Sequence, residues 1–237
     1  MTDSALSRIL GVLTAPERTF RAIRERPTWV VAFLVVLAIT AGVGQLAQSK
    51  VDTERVIRDM LEEAGTVDQA RIDEIVARQE SRNPVFEGVA STAATALIPL
   101  LCALYFWLGT RLFGGEPTFP QSLATVVHAF VPWWALKALL SVPALVSRRE
   151  LSLEEASRGL LPSNLGFLLA DDAPLLLRGV ATALDLFTLW GLVLLVLGFA
   201  IVARVSRVAS AALTLVIWIL VLGLTLIPMV LPKLLSG

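Results

Sequence analysis

The sequence predicts an all-α fold: a polytopic membrane helix bundle with five transmembrane helices, an N-terminal amphipathic helical lead and an extramembrane helical hairpin. Three observations carry that expectation. The 237 residues are 56% hydrophobic with a mean hydropathy of +0.74, well beyond ordinary soluble domains. The apolar residues fall in long blocks rather than at amphipathic spacing. Each block reaches the length of about 20 residues that a helix needs to cross about 30 Å of hydrocarbon. Acidic and basic residues cancel, 20 against 20, so no bulk field favours nucleic acid. The expected partners are the lipid bilayer and either other proteins or further copies of the chain.

The first element is a lead over residues 1–27. Leu6, Ile9, Leu10 and Leu13 recur at i, i+3, i+4 and i+7, which places them on one helical face. Thr14 and Glu17 stand at capping-box spacing and predict a second short helix, with Phe20 and Ile23 inward and Arg18, Arg21 and Arg24 outward. Two roles fit such a lead. It lies on the membrane surface, held by apolar burial and by attraction of the arginines to anionic lipid, or it packs on the protein's own cytoplasmic end.

Residues 28–237 form the five-span membrane domain. The spans run from Thr28 to Ala47, Val89 to Phe113, Ser122 to Val146, Leu184 to Val205 and Ala209 to Leu231. Prolines at 99, 132, 143 and 228 fall in or near them, where neighbouring helices can satisfy the disturbed backbone, so they are read as kinks. Two extramembrane loops separate the spans. The loop over 48–88 holds ten acids against six bases and predicts a helical hairpin, with one helix from Thr53 to Ala64 and a second opened by Thr66 and Gln69. The loop over 147–183 predicts a short helix at Ser152 with Glu155 three residues on. Five spans put both loops on one side. Five arginines stand within the 20 residues before the first span, and the two turns on that side, RLFGGEPTF and the one around Arg204 and Arg207, together carry more base than acid, so the N-terminus is expected to be cytoplasmic.

The stretches LTAPERTF in the lead, FPQSLA followed by HAFVPWW in the third span, and DLFTLWGLVLLVLGFAIVARVSR across the fourth resemble the bacterial branch of the Yip-domain family. The similarity covers nearly the whole chain and consists of diffuse apolar patterns rather than catalytic signatures. It implies a five-helix membrane domain with a cytosolic N-terminus, in a bacterial inner membrane. Eukaryotic relatives in that family interact with Rab-type small GTPases. No matched residue carries an assigned chemical role.

The residues themselves offer little chemistry. There is one histidine, no G-x-S-x-G elbow, no HExxH and no P-loop, so no catalytic, cofactor or metal site is expected. GVGQLA at Gly42 fits a loose dinucleotide pattern, but it ends a span, and small residues for close helix packing explain it better. Three ionisable groups fall inside the spans: His128 and Lys137 in the third and Asp185 in the fourth. An intramembrane charge costs roughly 3 kcal/mol at the bilayer centre and is a functional candidate by default. His128 and Lys137 are nine residues apart, on opposite faces of a straight helix and about 13 Å apart in depth, so a single His-Lys-Asp relay is not expected. Lys137 and Asp185 share a depth on adjacent antiparallel spans. Either they form an interhelical ion pair, or Lys137 snorkels to the interface while Asp185 hydrates at its helix end. Thr188, one turn on from Asp185, is placed to support the carboxylate. Gly191 and Gly198, spaced by seven, share a stripe for helix contact.

Two function classes follow. One is a non-enzymatic membrane scaffold or protein-interaction module. The other is a small transporter or channel using Lys137, Asp185 and His128, against which stands the absence of any inverted repeat.

Overall fold

The computed structural model describes residues 4–51, 73–75, 77–78, 83–151, 155, 159–170 and 173–235. All named elements are helical. Helix α1 (Ala5–Thr14) opens at Ser4, whose Oγ accepts from the Ser7 N–H at 3.2 Å. Helix α2 (Pro16–Glu25) follows after one residue. The expected capping box does not form: the Thr14 hydroxyl donates backward to the Leu10 carbonyl at 3.2 Å. Pro16 starts α2 instead, since a proline in the first turn has no N–H to satisfy and its φ is already helical.

The inner face of α1 also differs from the expectation. Ile9 and Val12 are buried together with Arg8, whereas Leu6 and Leu10 are exposed. The inner face is rotated because Arg8 has partners inside. In α2 the expectation holds for Phe20 and Ile23, fully buried, and for Arg18 and Arg21, exposed, but not for Arg24, which is half-buried.

The crossing helices follow: α3 (Val30–Gln48), α4 (Pro84–Arg111), α5 (Phe119–Phe130) and α6 (Lys137–Ser147). A π-helical segment, Val131–Leu136, joins α5 to α6. Pro132 sits in that segment, so the missing N–H is absorbed by wider winding within one continuous span. Pro99 and Pro143 likewise lie inside α4 and α6. After a 3₁₀ turn (Leu165–Leu168) come α7 (Leu175–Ala183), α8 (Leu186–Val202) and α9 (Arg207–Leu235).

Among the described residues four segments are long and apolar enough to cross a membrane: Val30–Gln48, Phe86–Arg111, Phe119–Ser147 and Arg207–Ile227. The fifth expected span is α8, whose 17 residues reach only about 25 Å. It begins after Asp185 and ends before Arg204, which holds a left-handed φ of 57°. Short as it is, α8 is the centre of the bundle and packs against α2, α5, the π-helical segment and α9. Its buried residues include Phe187, Gly191, Leu194, Leu195, Gly198, Phe199 and Val202, a stripe of helical period on an otherwise apolar helix.

The two glycines of that stripe mark close approaches of α8 to its neighbours. A Cβ on Gly191 would stand 3.3 Å from the Ala129 carbonyl oxygen, and one on Gly198 only 2.6 Å from the Thr125 methyl and 2.9 Å from the Phe20 ring. Gly42 and Gly44 behave otherwise: a Cβ on either would meet nothing within 4 Å, so these two glycines form no packing seam. Phe106 of α4 stacks on Phe199 with centroids 4.1 Å apart. Two bonds between spans add to the apolar contact, Tyr105 to the Leu213 carbonyl and Ser210 to the Val196 carbonyl, both 2.9 Å.

Pairings at the two ends fix the topology. At one end, Lys50 Nζ donates to the Arg148 carbonyl at 2.6 Å and Leu151 N–H to the Lys50 carbonyl at 2.8 Å, so both extramembrane loops leave the bundle on the same side. At the other end, Gln121 donates to the Arg24 carbonyl at 2.7 Å and Arg207 to Glu17 at 3.2 Å. The hairpin expected within 48–88 falls largely on residues outside those described. So does Ser152, while Glu155 accepts from Arg148 Nε at 2.6 Å.

Candidate functional site

Four donors meet one carboxylate where α8 begins. Asp185 is the N-cap of that helix, a position where a carboxylate accepts the orphan amide donors and meets the positive end of the helix dipole. One oxygen accepts from the N–H groups of Phe187 and Thr188, at 3.0 and 3.2 Å. The other accepts from Lys137 Nζ at 3.0 Å and from the Ser163 hydroxyl through a short bond. The Asp185 side chain is 1% exposed, that of Lys137 31%. Burial of this carboxylate is tolerable because four donors converge on it.

The loop is fastened at the same point. Leu186 N–H donates to the Ser163 carbonyl at 2.9 Å and Leu165 N–H to the Leu184 carbonyl at 3.3 Å, while Asn164 folds its amide oxygen onto the Gly166 N–H at 2.9 Å. Ser163 and Asn164 carry no sequence signal for this role. A serine beside an asparagine reads as loop until the chain returns to α8.

Of the expected polar residues, the structure brings Lys137 and Asp185 together. Thr188 meets the carboxylate through its backbone N–H, not its hydroxyl. His128 stands apart: its Nδ1 lies 2.8 Å from the Ala124 carbonyl in its own helix, and its buried Nε2 has no hydrogen-bond partner. Among the described residues no three His, Cys, Asp or Glu side chains are grouped to hold a metal.

At the opposite end, Arg8 is the buried cation that sequence reading missed. Its guanidinium donates to the Arg26 carbonyl at 2.5 Å and to the Thr28 hydroxyl at 2.8 Å, closing the C-terminus of α2 and setting the break before α3. The available signal was position: Arg8 stands one helical turn before Val12, on the face that is buried. Arg8→Met should lower stability by about 1–2 kcal/mol, since two part-buried hydrogen bonds to the C-terminus of α2 are lost. Thermal unfolding in detergent checks this, with exposed Arg18→Gln expected to shift stability by less than about 0.5 kcal/mol.

The three surface arginines divide. Arg18 and Arg21 face outward, and Arg21 pairs with Glu17 at 3.2 Å in an exposed contact of small energetic weight. Arg24 turns in: it is half-buried and reaches the Ile201 carbonyl at 3.5 Å, at the end of α8. It was expected outward, but α2 docks so closely on α8 that its last-turn arginine meets the exposed carbonyls of the α8 C-terminus.

Comparisons with known proteins agree with this architecture. A family model described as the Yip1 domain matches residues 10–229. The chain is similar to the membrane protein YknW of Bacillus subtilis (strain 168), with 26% identity over 216 residues that cover 85% of this chain and 81% of the relative. No solved structure matches. The matched region begins within α1 and runs through every crossing helix, and the chain, a multi-pass membrane protein, therefore belongs to the Yip1 domain family.

Proposed function

We propose that this protein is a non-enzymatic scaffold or protein-interaction module of a bacterial inner membrane, with its N-terminus in the cytoplasm. The Asp185 cluster is the observation that carries the reading. The buried carboxylate that caps α8 is saturated by two amides, Lys137 and Ser163, so it fastens a loop to a helix and has no lone pair open to a passing ion. His128 makes its bond within α5 and shares no partner with that cluster. At the other end, α1 and α2 close the bundle and present Arg18 and Arg21 outward, a basic face suited to an acidic protein partner or anionic lipid.

Three measurements test this. Purified protein in liposomes should show no proton or cation flux; a flux abolished by Asp185→Asn and by Lys137→Met would establish the transporter reading instead. Crosslinking through Arg18→Cys in native membranes should return a protein partner or a second copy, because the native Cys102 is buried and silent. A reporter that works only in the periplasm, fused after Ala64, should be active, and its silence would reverse the orientation.

A further inference from the structure

At the N-terminal end of the bundle, a groove of about 540 Å³ opens between the end of α2, the turn through Gly114 and Glu116, the start of α5 and the end of α8. Its walls carry two cations, Arg24 and Arg204, and two anions, Glu25 and Glu116. Among the described residues Glu25, Glu116 and Arg204 form no ion pair, so opposite charges share one concavity without closing on each other. Arg24 has its guanidinium only loosely engaged, at 3.5 Å from the Ile201 carbonyl.

Two further observations point to a ligand. Arg204 occupies the left-handed position just past the end of α8, with φ 57°. Glycine is the usual residue there because it has no Cβ to strain. Here an arginine is held at that conformational cost, and it lines the groove. The chain flanking the lining residues is apolar: Leu112 and Phe113, immediately before Gly114, are 84% and 50% exposed, and Val208, four residues after Arg204, is 80% exposed. This is the level at which α4 and α8 end and α5 and α9 begin, so these residues stand at the bilayer boundary.

We propose that this groove binds the zwitterionic headgroup of an amine-bearing phospholipid of the phosphatidylethanolamine type. Arg24 and Arg204 hold the phosphate, Glu25 and Glu116 receive the primary ammonium, and an acyl chain runs over Leu112 and Phe113. The charge count selects the class. A purely anionic headgroup would leave two carboxylates facing its phosphate, and a choline headgroup has no N–H to donate to them. The apolar flanking chain selects a lipid over a free phosphate ester of the same headgroup.

Native mass spectrometry of the full chain, reconstituted with equal phosphatidylethanolamine, phosphatidylglycerol and phosphatidylcholine, tests the assignment. The wild type should retain phosphatidylethanolamine several-fold over the other two. In E25Q/E116Q that preference should vanish, with phosphatidylglycerol gaining. R204G should lower phosphatidylethanolamine occupancy several-fold while its thermal midpoint stays level or rises, because glycine relieves the left-handed residue; this separates loss of a ligand from loss of folding. Equal retention of the three lipids by the wild type, or unchanged occupancy in R204G, would overturn the proposal. Displacement of the lipid by millimolar soluble glycerophosphoethanolamine would overturn the lipid as the source. None of these outcomes depends on the scaffold reading.

Discussion

Asp185→Ala is expected to destabilise the protein by about 3 kcal/mol, measured by thermal or denaturant unfolding in detergent. Three losses combine. The N-cap of α8 disappears, at about 1 kcal/mol. The Ser163 hydroxyl loses its acceptor, and with it goes one of the ties between the loop and α8. Lys137 is left without its partner, at the lower end of the cost of a broken buried pair because that side chain is 31% exposed. Asp185→Asn isolates the charge, since asparagine caps a helix nearly as well. In a cycle of Asp185→Asn with Lys137→Met, the double variant should recover about 0.5–2 kcal/mol of the summed single losses. Strict additivity would show that the 3.0 Å contact contributes nothing to stability.

Phe20→Ala should cost a further large amount, about 3–5 kcal/mol, as a fully buried ring is removed from between α2 and α8. The same interface fails from the other side. In Gly198→Val the first added carbon already stands 2.6 Å from Thr125 and 2.9 Å from the Phe20 ring, so α2 must lift away. Both variants should expose α2, read as faster tryptic cleavage at Arg18 and Arg21 in reconstituted protein. Combined, the two substitutions should cost less than their sum, because the valine occupies space that the ring vacates. Unchanged cleavage in both would mean that α2 is not held by this contact.

Much of the architecture was legible in the sequence. Spans one, two, three and five were readable within a few residues because their signal is local: length and apolar content decide whether a helix can reside in hydrocarbon. The shorter α8 was overextended, since its ends are set by an N-cap bonded to a distant loop and by a left-handed arginine, neither visible in hydropathy. The face of α1 was misjudged for a related reason. Spacing identifies which residues share a side, but Leu6 and Leu10 turned outward once Arg8 found carbonyl and hydroxyl partners 18 and 20 residues away.

The polar residues followed the same division. Counting depth along antiparallel helices put Lys137 level with Asp185, a relation that needs only 1.5 Å per residue and the span order. Ser163 and Asn164 had no such coordinate, as a loop has no period. The groove at the N-terminal end was equally hidden, since its four charges come from α2, one turn and the end of α8.

Composition and segment length suffice to make this chain an all-α, multi-span membrane protein with few groups able to do chemistry, because transfer into hydrocarbon depends on composition summed over each segment. Only the tertiary structure decided which groups meet: Asp185 with Lys137 across 48 residues and with Ser163 across 22, Phe20 on Gly198, Arg24 and Arg204 around one groove. Those meetings depend on the rotation and end-points of each helix, which are settled by packing against neighbours and not by the hydrophobicity that brings the helices into the membrane.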